Sequence, residues 1–155
     1  MPKDYAVERE ITINKPADSV FSYVRYLKNQ NEFSVWANID PKMKSTYTGT
    51  DGSVGAVAAW ESDIKDVGVG EQEITKITEG KRIDFALLFK EPMNDTAVGF
   101  MSTEAVSKNQ TKVKWGIKGV FPYPMNIMMP MMKMDEMIGK DLQKGLENLK
   151  TKMEQ

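Results

Sequence analysis

The C-terminal stretch from Met125 onward constrains the fold more than any other part of the chain, because it carries an apolar stripe at the spacing of an α-helix. The residues of the stripe are Met128, Met131, Ile138, Leu142, Leu146, Leu149 and Met153. Asp135 falls on the same face, since it precedes Ile138 by three positions and Leu142 by seven. A long helix that is rich in methionine at its start and in leucine at its end, with one inward carboxylate, predicts a lid over a cavity that is apolar except at one point.

The length and charge of the chain limit its class. A chain of 155 residues is long enough for one domain with a single core. Its 21 basic and 22 acidic side chains nearly balance, and no basic cluster is interleaved with aromatic residues, so we expect no nucleic-acid partner. No apolar run reaches the roughly 18 residues of a membrane-spanning helix, and the N-terminus lacks the apolar centre of a signal peptide. These features predict a cytoplasmic protein without stable membrane insertion.

The sequence contains neither cysteine nor histidine. This excludes disulfides, thiol nucleophiles, Cys–His zinc sites and imidazole bases. The groups that remain for chemistry are carboxylates, lysines, arginines, tyrosines, hydroxyls and bound water.

The N-terminal part predicts one strand followed by short helices. Apolar and polar residues alternate from Val7 to Ile13, which is the period of a strand with one drier face. In the segment that follows, Pro16 suits the first position of a helix. The negative side chain of Asp18 is favourable near the N-terminal end of a helix, where the helix dipole is positive. The polar stretch before Pro41 has room for one more helical turn, which the proline would end.

Six further strands are predicted between residues 43 and 121. Their bounds are Met43 to Thr50, Ala56 to Ser62, Glu71 to Thr78, Arg82 to Lys90, Thr96 to Val106 and Thr111 to Phe121. Turn sequences such as TEGK and SKNQ separate several of them and favour an antiparallel meander. One sheet face must be covered, and the C-terminal helix is the only element long enough to do so. The sequence therefore predicts an α+β fold, in which a curved antiparallel sheet of about seven strands wraps around a long C-terminal helix, with two short helices after the first strand.

Glycines occur in two segments where their presence calls for a structural explanation. Gly139 and Gly145 lie inside the predicted helix, where a glycine costs about 1 kcal/mol relative to alanine. Close packing of the helix on the sheet is the expected compensation. The segment GVGEQ at residues 68–72 lacks the Gly-Lys-Ser/Thr of a phosphate loop, so we interpret it as a bulge or turn that leads into a strand.

The order of motifs along the chain is similar to that of a known superfamily. The matching segments are INKPADSVFSYV, VWANIDPKMKSTYTGTDGSVGAVAAWES, GVGEQEITKI, TKVKWGIKG and MDEMIGKDLQKGLENLK. They resemble the SRPBCC superfamily, whose helix-grip fold is shared by START lipid-transfer domains, the birch pollen allergen family and polyketide cyclases, and especially its polyketide cyclase/dehydrase branch. The resemblance spans nearly the whole chain and implies a deep cavity between sheet and long helix for an apolar or aromatic small molecule. It brings no catalytic motif to particular positions of this sequence.

Asp135 is the sharpest candidate for chemistry. If it is buried in the cavity, its pKa would rise, and it could act as a general acid or base or anchor a ligand hydroxyl or amine. The alternative is that Asp135 pairs with a lysine or arginine, or caps backbone donors, at the cavity rim.

The predicted cavity wall combines side chains from the strands and from the helix. Aromatic residues on the inner side of the sheet would stack on a flat ligand, although aromatics are ordinary core residues as well. The candidate ligand-binding residues are Trp36, Tyr47, Trp60, Phe85, Leu87, Phe89, Phe100, Trp115, Met128, Met131, Met132, Asp135 and Ile138. Trp60 and Trp115 rank first because each lies in a strand that is predicted to face the helix.

Seven of the twelve methionines lie between Met125 and Met137. Flexible thioethers suit a core that needs filling, and they also suit a pocket wall or entrance that adapts to its ligand. Clustered thioethers can bind Cu(I) as well, but without cysteine or histidine we assign no metal site. Pro130 interrupts the segment, so the first turn could be separate from the main helix and move as a gate.

These observations predict one main function and leave two alternatives. We expect binding of a hydrophobic or aromatic small molecule in an internal cavity, with acid/base cyclisation or dehydration if the ligand is transformed. Such a reaction would use Asp135, a tyrosine hydroxyl or ordered water, with no metal and no organic cofactor. The first alternative is an adaptor or chaperone cofactor that docks a partner on the Met-rich segment, which requires exposed methionines and a cavity too small for a ligand. The second is a stress-related carrier without catalysis, which requires a large closed cavity and a basic partner that neutralises Asp135.

Overall fold

A single antiparallel sheet forms the framework of the protein. The computed structural model describes residues 3–91, 94–121 and 131–155, and the side chains of Lys3, Phe121, Met131, Met132 and Met134 lie outside this description. The strands are β1 (Lys3–Ile13), β2 (Lys44–Thr48), β3 (Val57–Glu61), β4 (Val69–Thr78), β5 (Arg82–Glu91), β6 (Asp95–Ser107) and β7 (Gln110–Phe121). They lie in the order β1-β7-β6-β5-β4-β3-β2, so the chain runs as a meander that β1 closes on one side. This confirms the predicted seven-stranded sheet, with β1 beginning four residues earlier than the alternation indicates.

The helices follow the predicted order. They are α1 (Ala17–Val24), two 3₁₀ helices (Leu27–Glu32 and Trp36–Asn38) and α2 (Met131–Met153). Pro16 precedes the first turn of α1 instead of occupying it, and its carbonyl oxygen accepts a hydrogen bond from the Val20 amide at 3.1 Å. A difference of one residue at a helix end is ordinary.

The core lies between one face of the sheet and α2, and we call this the inner face. On β5, Ile83 and Phe85 point inward and are buried, while Asp84 between them points outward, as the period of two requires. On α2, Leu142, Leu146 and Leu149 are fully buried, and Ile138 and Met153 pack against the core. The leucine half of the predicted stripe is therefore confirmed.

Two glycines let α2 approach the sheet closely, as the sequence predicts. A Cβ atom on Gly145 would lie 2.6 Å from Cζ3 of Trp115, and one on Gly139 would collide with the Arg9 guanidinium. The cost of glycine inside a helix is thus offset by packing that a larger residue would prevent.

The segment GVGEQ is a turn followed by a bulge, which confirms its interpretation. Gly68 has a φ of 65°, a conformation that favours glycine. Immediately after it, the register between β4 and β5 shifts between Val69 and Gly70. Gly70 itself faces inward beneath Trp60, its partner on β3.

Candidate functional site

A cavity of about 370 Å³ lies between the inner face of the sheet and α2. Strands from every part of the sheet, both 3₁₀ helices and two residues of α2, Ile138 and Leu142, contribute to its wall. Its volume is near the lower end of the roughly 300–1,000 Å³ range of ligand pockets.

Most of the predicted wall residues of the strands do line this cavity. The residues from the predicted set that lie on its wall are Trp36, Tyr47, Trp60, Phe85, Leu87, Phe89, Trp115 and Ile138. Those that belong to strands meet there because the antiparallel register places alternate residues of neighbouring strands side by side on one face, whereas Trp36 comes from the second 3₁₀ helix and Ile138 from α2. Six of the eight are aromatic, and a role in binding stays a prediction for each of these residues.

One part of the wall is built around Trp60 on β3. Gly70 lies opposite in the register, and a Cβ atom there would be 2.5 Å from the Trp60 ring, so the glycine allows the indole to lie against β4. The Trp60 ring meets Phe89 edge-on at a centroid distance of 6.2 Å, and its Nε1 donates to the Val67 carbonyl oxygen at 3.3 Å. These contacts fix the orientation of a large flat surface at the cavity.

The opposite part of the wall is built around Trp115 on β7. Its ring packs in edge-to-face geometry against Phe33 at 5.6 Å and against Trp36 at 5.7 Å. Phe33 is fully buried and anchors the segment that carries Trp36. Because Gly145 of α2 lies directly behind Trp115, this ring is held by the core on one side and borders the cavity on the other.

Several polar side chains interrupt the aromatic wall. Nε2 of Gln30 is buried and has no hydrogen-bond partner among the described residues. Gln72, on the inner face of β4, also lines the cavity. The Tyr47 hydroxyl accepts a hydrogen bond from Nδ2 of Asn31 at 2.7 Å, so its own proton is free for another acceptor. The wall thus offers donors at more than one point.

The ionisable groups on the described part of the wall are few. They are Tyr5, Tyr47 and Asp66, and no lysine or arginine is found among the lining residues that the structure describes. Burial, and secondarily the negative charge of Asp95, raises the pKa of Tyr5 above its ordinary value. Tyr5 is therefore a neutral hydroxyl at physiological pH, and Asp66 is exposed at the rim.

Asp135 lies outside this wall. Its Oδ1 accepts a hydrogen bond from Nη2 of Arg9 at 2.8 Å, and the two side chains are 48% and 32% exposed, respectively. Arg9 is the inward-facing residue of β1 at this level, and Gly139 leaves room for its guanidinium beside α2. The prediction of Asp135 as a cavity acid is thus corrected, and the alternative of a basic partner at the rim is the one the geometry supports.

Phe100 lies on the outer face of the sheet, which corrects its prediction as a wall residue. It pairs with Asp84 of β5 and Gly116 of β7, both of which point outward. The guanidinium of Arg82 covers its ring at 4.1 Å from the centroid. On β6 the inward positions are instead held by Gly99 and Met101.

The remaining predictions for the methionine-rich segment fall largely outside the described residues. Met128 and the proposed gate at Pro130 lie there, and so do the side chains of Met131 and Met132. Met137 is described, and it is 52% exposed.

Residues that the sequence analysis missed also line the cavity. Tyr5 continues the alternation of β1 beyond Val7, so the same period could have found it. Gln30 sits in a polar stretch without periodicity. Nothing in the pattern around Gln30 marks it as a wall residue, because its position depends on how the 3₁₀ helix packs.

None of the helices in the described ranges is long and apolar enough to cross a membrane. No group of three or more histidine, cysteine, aspartate or glutamate side chains in the same ranges is placed to hold a metal ion.

A family model described as polyketide cyclase/dehydrase and lipid transport matches residues 5–154. No curated protein sequence matches the chain.

Solved structures with the same fold cover nearly the whole chain. Norcoclaurine synthase from Thalictrum flavum has a TM-score of 0.74 at 9% identity, with 99% of this chain and 88% of that chain covered. The same enzyme in complex with dopamine and hydroxybenzaldehyde has a TM-score of 0.69 at 9% identity, with coverages of 98% and 87%. A protein from Nitrosospira multiformis has a TM-score of 0.65 at 19% identity, with 94% of each chain covered. At these identities the likeness shows a shared fold.

Proposed function

Because the chain belongs to the polyketide cyclase/dehydrase and lipid-transport family, we propose that it binds a small aromatic molecule in the cavity between the sheet and α2. The observation that carries the proposal is the composition of the wall, where seven aromatic side chains of the described residues surround about 370 Å³. Rigid aromatic surfaces stack on flat ligands at little conformational cost. A structure of the same fold holds dopamine and hydroxybenzaldehyde, which are both small aromatic molecules.

Binding ranks ahead of the protein-interaction alternative. A docking protein of this fold requires a cavity too small for a ligand, and a volume of about 370 Å³ argues against that condition. The exposed Met137 is one residue and does not make a patch by itself.

Acid/base cyclisation or dehydration is a second proposal, and it now rests on Tyr5 rather than Asp135. Tyr5 borders the cavity, and its hydroxyl stays protonated at physiological pH because burial raises a pKa that is already high. It could donate a hydrogen bond to a ligand oxygen and so stabilise negative charge that develops there. Tyr5→Phe would separate the two proposals, because it removes the proton and leaves the aromatic ring on the wall. A catalytic Tyr5 would lose turnover in this variant while ligand affinity is retained.

The test of binding is to fill the cavity by mutation. Ala58 lies on the inner face of β3 between Tyr47 and Gln72 and borders the cavity, so Ala58→Phe would place a ring inside it. We expect the neutral probe N-phenyl-1-naphthylamine to bind the wild-type protein saturably with a rise in fluorescence, and Ala58→Phe to weaken this binding by at least about tenfold.

A matched control distinguishes a filled cavity from a damaged fold. Ala86 pairs with Glu73 and Val98 on the outer face of the sheet, and Ala86→Phe should bind the probe as the wild type does. Circular dichroism checks that both variants are folded. Absence of saturable binding to the wild type, or equal binding by a folded Ala58→Phe, would contradict the proposal.

A further inference from the structure

The side chain of Gln30 points to the chemical class of the ligand. We propose that its amide donates a hydrogen bond to an uncharged oxygen acceptor, such as a ketone or aldehyde carbonyl, on the aromatic molecule that the cavity binds. This inference rests on the proposed function, because it takes the cavity to be a ligand site and assigns a recognition role to one residue of its wall.

The first support is that the side-chain amide of Gln30 lacks a hydrogen-bond partner among the described residues. Its Nε2 atom is buried at the cavity wall. Buried polar groups nearly always have a partner, and those that lack one inside the protein commonly serve a ligand or water. A carbonyl oxygen of a ligand in the cavity would supply the acceptor that this amide lacks.

The second support is the rigidity of the segment that carries Gln30. The Asp51 carboxylate accepts hydrogen bonds from the amides of Leu27 at 2.7 Å and Lys28 at 3.1 Å, which fixes the start of this 3₁₀ helix. At its end, the Gln30 carbonyl oxygen accepts from the amides of Phe33 at 3.2 Å and Ser34 at 2.8 Å. The backbone of Gln30 is therefore held at both ends, which pre-organises its side chain for recognition.

The third support concerns charge. The described lining contains no lysine or arginine, and its carboxylate side chain, Asp66, is exposed. Tyr5 is neutral at physiological pH, because a phenol ionises only near pH 10 and burial raises the pKa of this one further. A ligand anion would lose its hydration without gaining a positive partner on this wall, so an uncharged acceptor fits and a carboxylate does not.

Gln72 is a second amide that fits the same ligand class. It projects from β4 into the cavity, and no hydrogen bond joins its side chain to the residues that the structure describes. It offers another donor or acceptor to an oxygenated ligand, whereas a pure hydrocarbon would leave both amides without a partner.

Three naphthalene probes test the inference, because they share a ring system and differ in one substituent. They are 2-acetonaphthalene, which has a neutral carbonyl, 2-ethylnaphthalene, which has none, and 2-naphthoate, which is an anion. We expect the wild-type protein to bind 2-acetonaphthalene about tenfold more tightly than 2-ethylnaphthalene, the ratio that one hydrogen bond to a buried donor gives, and 2-naphthoate most weakly. Competition with N-phenyl-1-naphthylamine measures all three affinities.

The decisive variant is Gln30→Met, which keeps the length of the side chain and removes the amide. We expect its preference for 2-acetonaphthalene over 2-ethylnaphthalene to fall to within about twofold, while 2-ethylnaphthalene itself binds as tightly as before. Gln143→Met is the control, since Gln143 lies in α2 away from the lining and should leave the preference at its wild-type value.

The outcomes separate this inference from the proposed function. If no probe binds the wild type, the proposed function itself fails. If the probes bind but show no preference, or if Gln30→Met keeps the preference, the cavity is a ligand site and the role of Gln30 is wrong. The melting temperature gives a second readout, because removing an unpaired buried donor should leave it equal or raise it, and a fall of several degrees would indicate a structural partner instead.

Discussion

At the scale of single residues, Asp135 illustrates why an inward acid is weak evidence for chemistry. Its position on the apolar stripe was read correctly from the helical period, but the stripe meets β1 at Arg9, another charged residue on an inner face. Two opposite charges that emerge at the same level of a helix and a strand pair with each other before either reaches the cavity. The partner could not be identified from the sequence, because it depends on the register of α2 along β1.

We predict that Asp135→Asn has a small effect on stability and none on ligand binding. Both members of the pair are substantially exposed, so solvent screens their attraction and the loss should be about 0.5 kcal/mol. Urea unfolding measures the stability, and titration with N-phenyl-1-naphthylamine measures binding. A large drop in probe affinity would place Asp135 in the ligand site after all.

Asp40 gives a prediction for pH. Its Oδ2 accepts a hydrogen bond from the Ser62 hydroxyl at 2.5 Å and its Oδ1 accepts one from the Lys42 amide at 2.8 Å. The Ser62 hydroxyl, followed by the Lys42 amide, holds the pKa of Asp40 below its usual range. A carboxyl group whose folded pKa is lowered stabilises the protein above its unfolded pKa of about 3.9, and this stability is lost as the pH falls through the folded value.

Ser62→Ala should therefore raise the pKa of Asp40 toward the ordinary value. The variant should also lose less stability than the wild type on acidification below about pH 4, because less of the stabilising shift is left to lose. Carboxyl carbon shifts followed by NMR across the titration give the pKa directly. The exposed Ser22→Ala is the control, and an unchanged Asp40 pKa in Ser62→Ala would show that the hydroxyl is not its main partner.

At the scale of elements, the two glycines of α2 have different neighbours. A Cβ atom on Gly145 would meet the buried ring of Trp115, which Phe33 and Trp36 hold in place. A Cβ atom on Gly139 would meet the guanidinium end of Arg9, which can move toward solvent. Alanine has a higher helix propensity than glycine, so either substitution would stabilise the helix itself. The net change in stability therefore depends on the side chain that the added Cβ atom meets.

We predict that Gly145→Ala destabilises the protein by about 2 kcal/mol, because overpacking against a fixed ring exceeds the gain in helix propensity of about 1 kcal/mol. Gly139→Ala should lie within about 0.5 kcal/mol of the wild type, since the same gain offsets a weak, exposed ion pair. Urea unfolding of the two variants side by side measures both values. Equal stability of the two would contradict the close approach of α2 to Trp115.

The strands show where the inner face of the sheet can be predicted from the sequence and where it cannot. On β5 the alternation indicates correctly that Ile83 and Phe85 lie on the inner face. Their outward neighbours, Asp84 and Ala86, differ from them in polarity or in size. On β6 both faces carry apolar residues, with Val98 45% exposed on the outer face, so polarity gave no assignment there. Phe100 was consequently placed inward, whereas the pairing with β5 and β7 turns it outward.

At the scale of the whole molecule, the order of elements was predictable and the polar points of the cavity were not. Strand periods, turn sequences and one amphipathic helix leave few ways to cover a seven-stranded sheet, so the fold follows from local signals. Gln30 becomes a wall residue only when the 3₁₀ helix packs over the sheet, and the hydrogen bonds that fix the start of this helix join Leu27 and Lys28 to Asp51, which is 24 and 23 residues away in sequence. Recognition of a ligand depends on such long-range contacts, and the hydrophobic periodicity of a single segment does not predict them.

The central claim is that a small aromatic molecule binds inside the protein, between the sheet and α2. Isotope-filtered NOE spectroscopy on the protein with bound 2-acetonaphthalene tests it most directly, because each contact reports a distance between ligand and side-chain protons. We expect NOEs from the naphthalene protons to Trp60, Trp115 and Leu87 on the wall. NOEs to Phe100 and Val98 on the outer face, or saturable binding without any NOE to the wall, would contradict it.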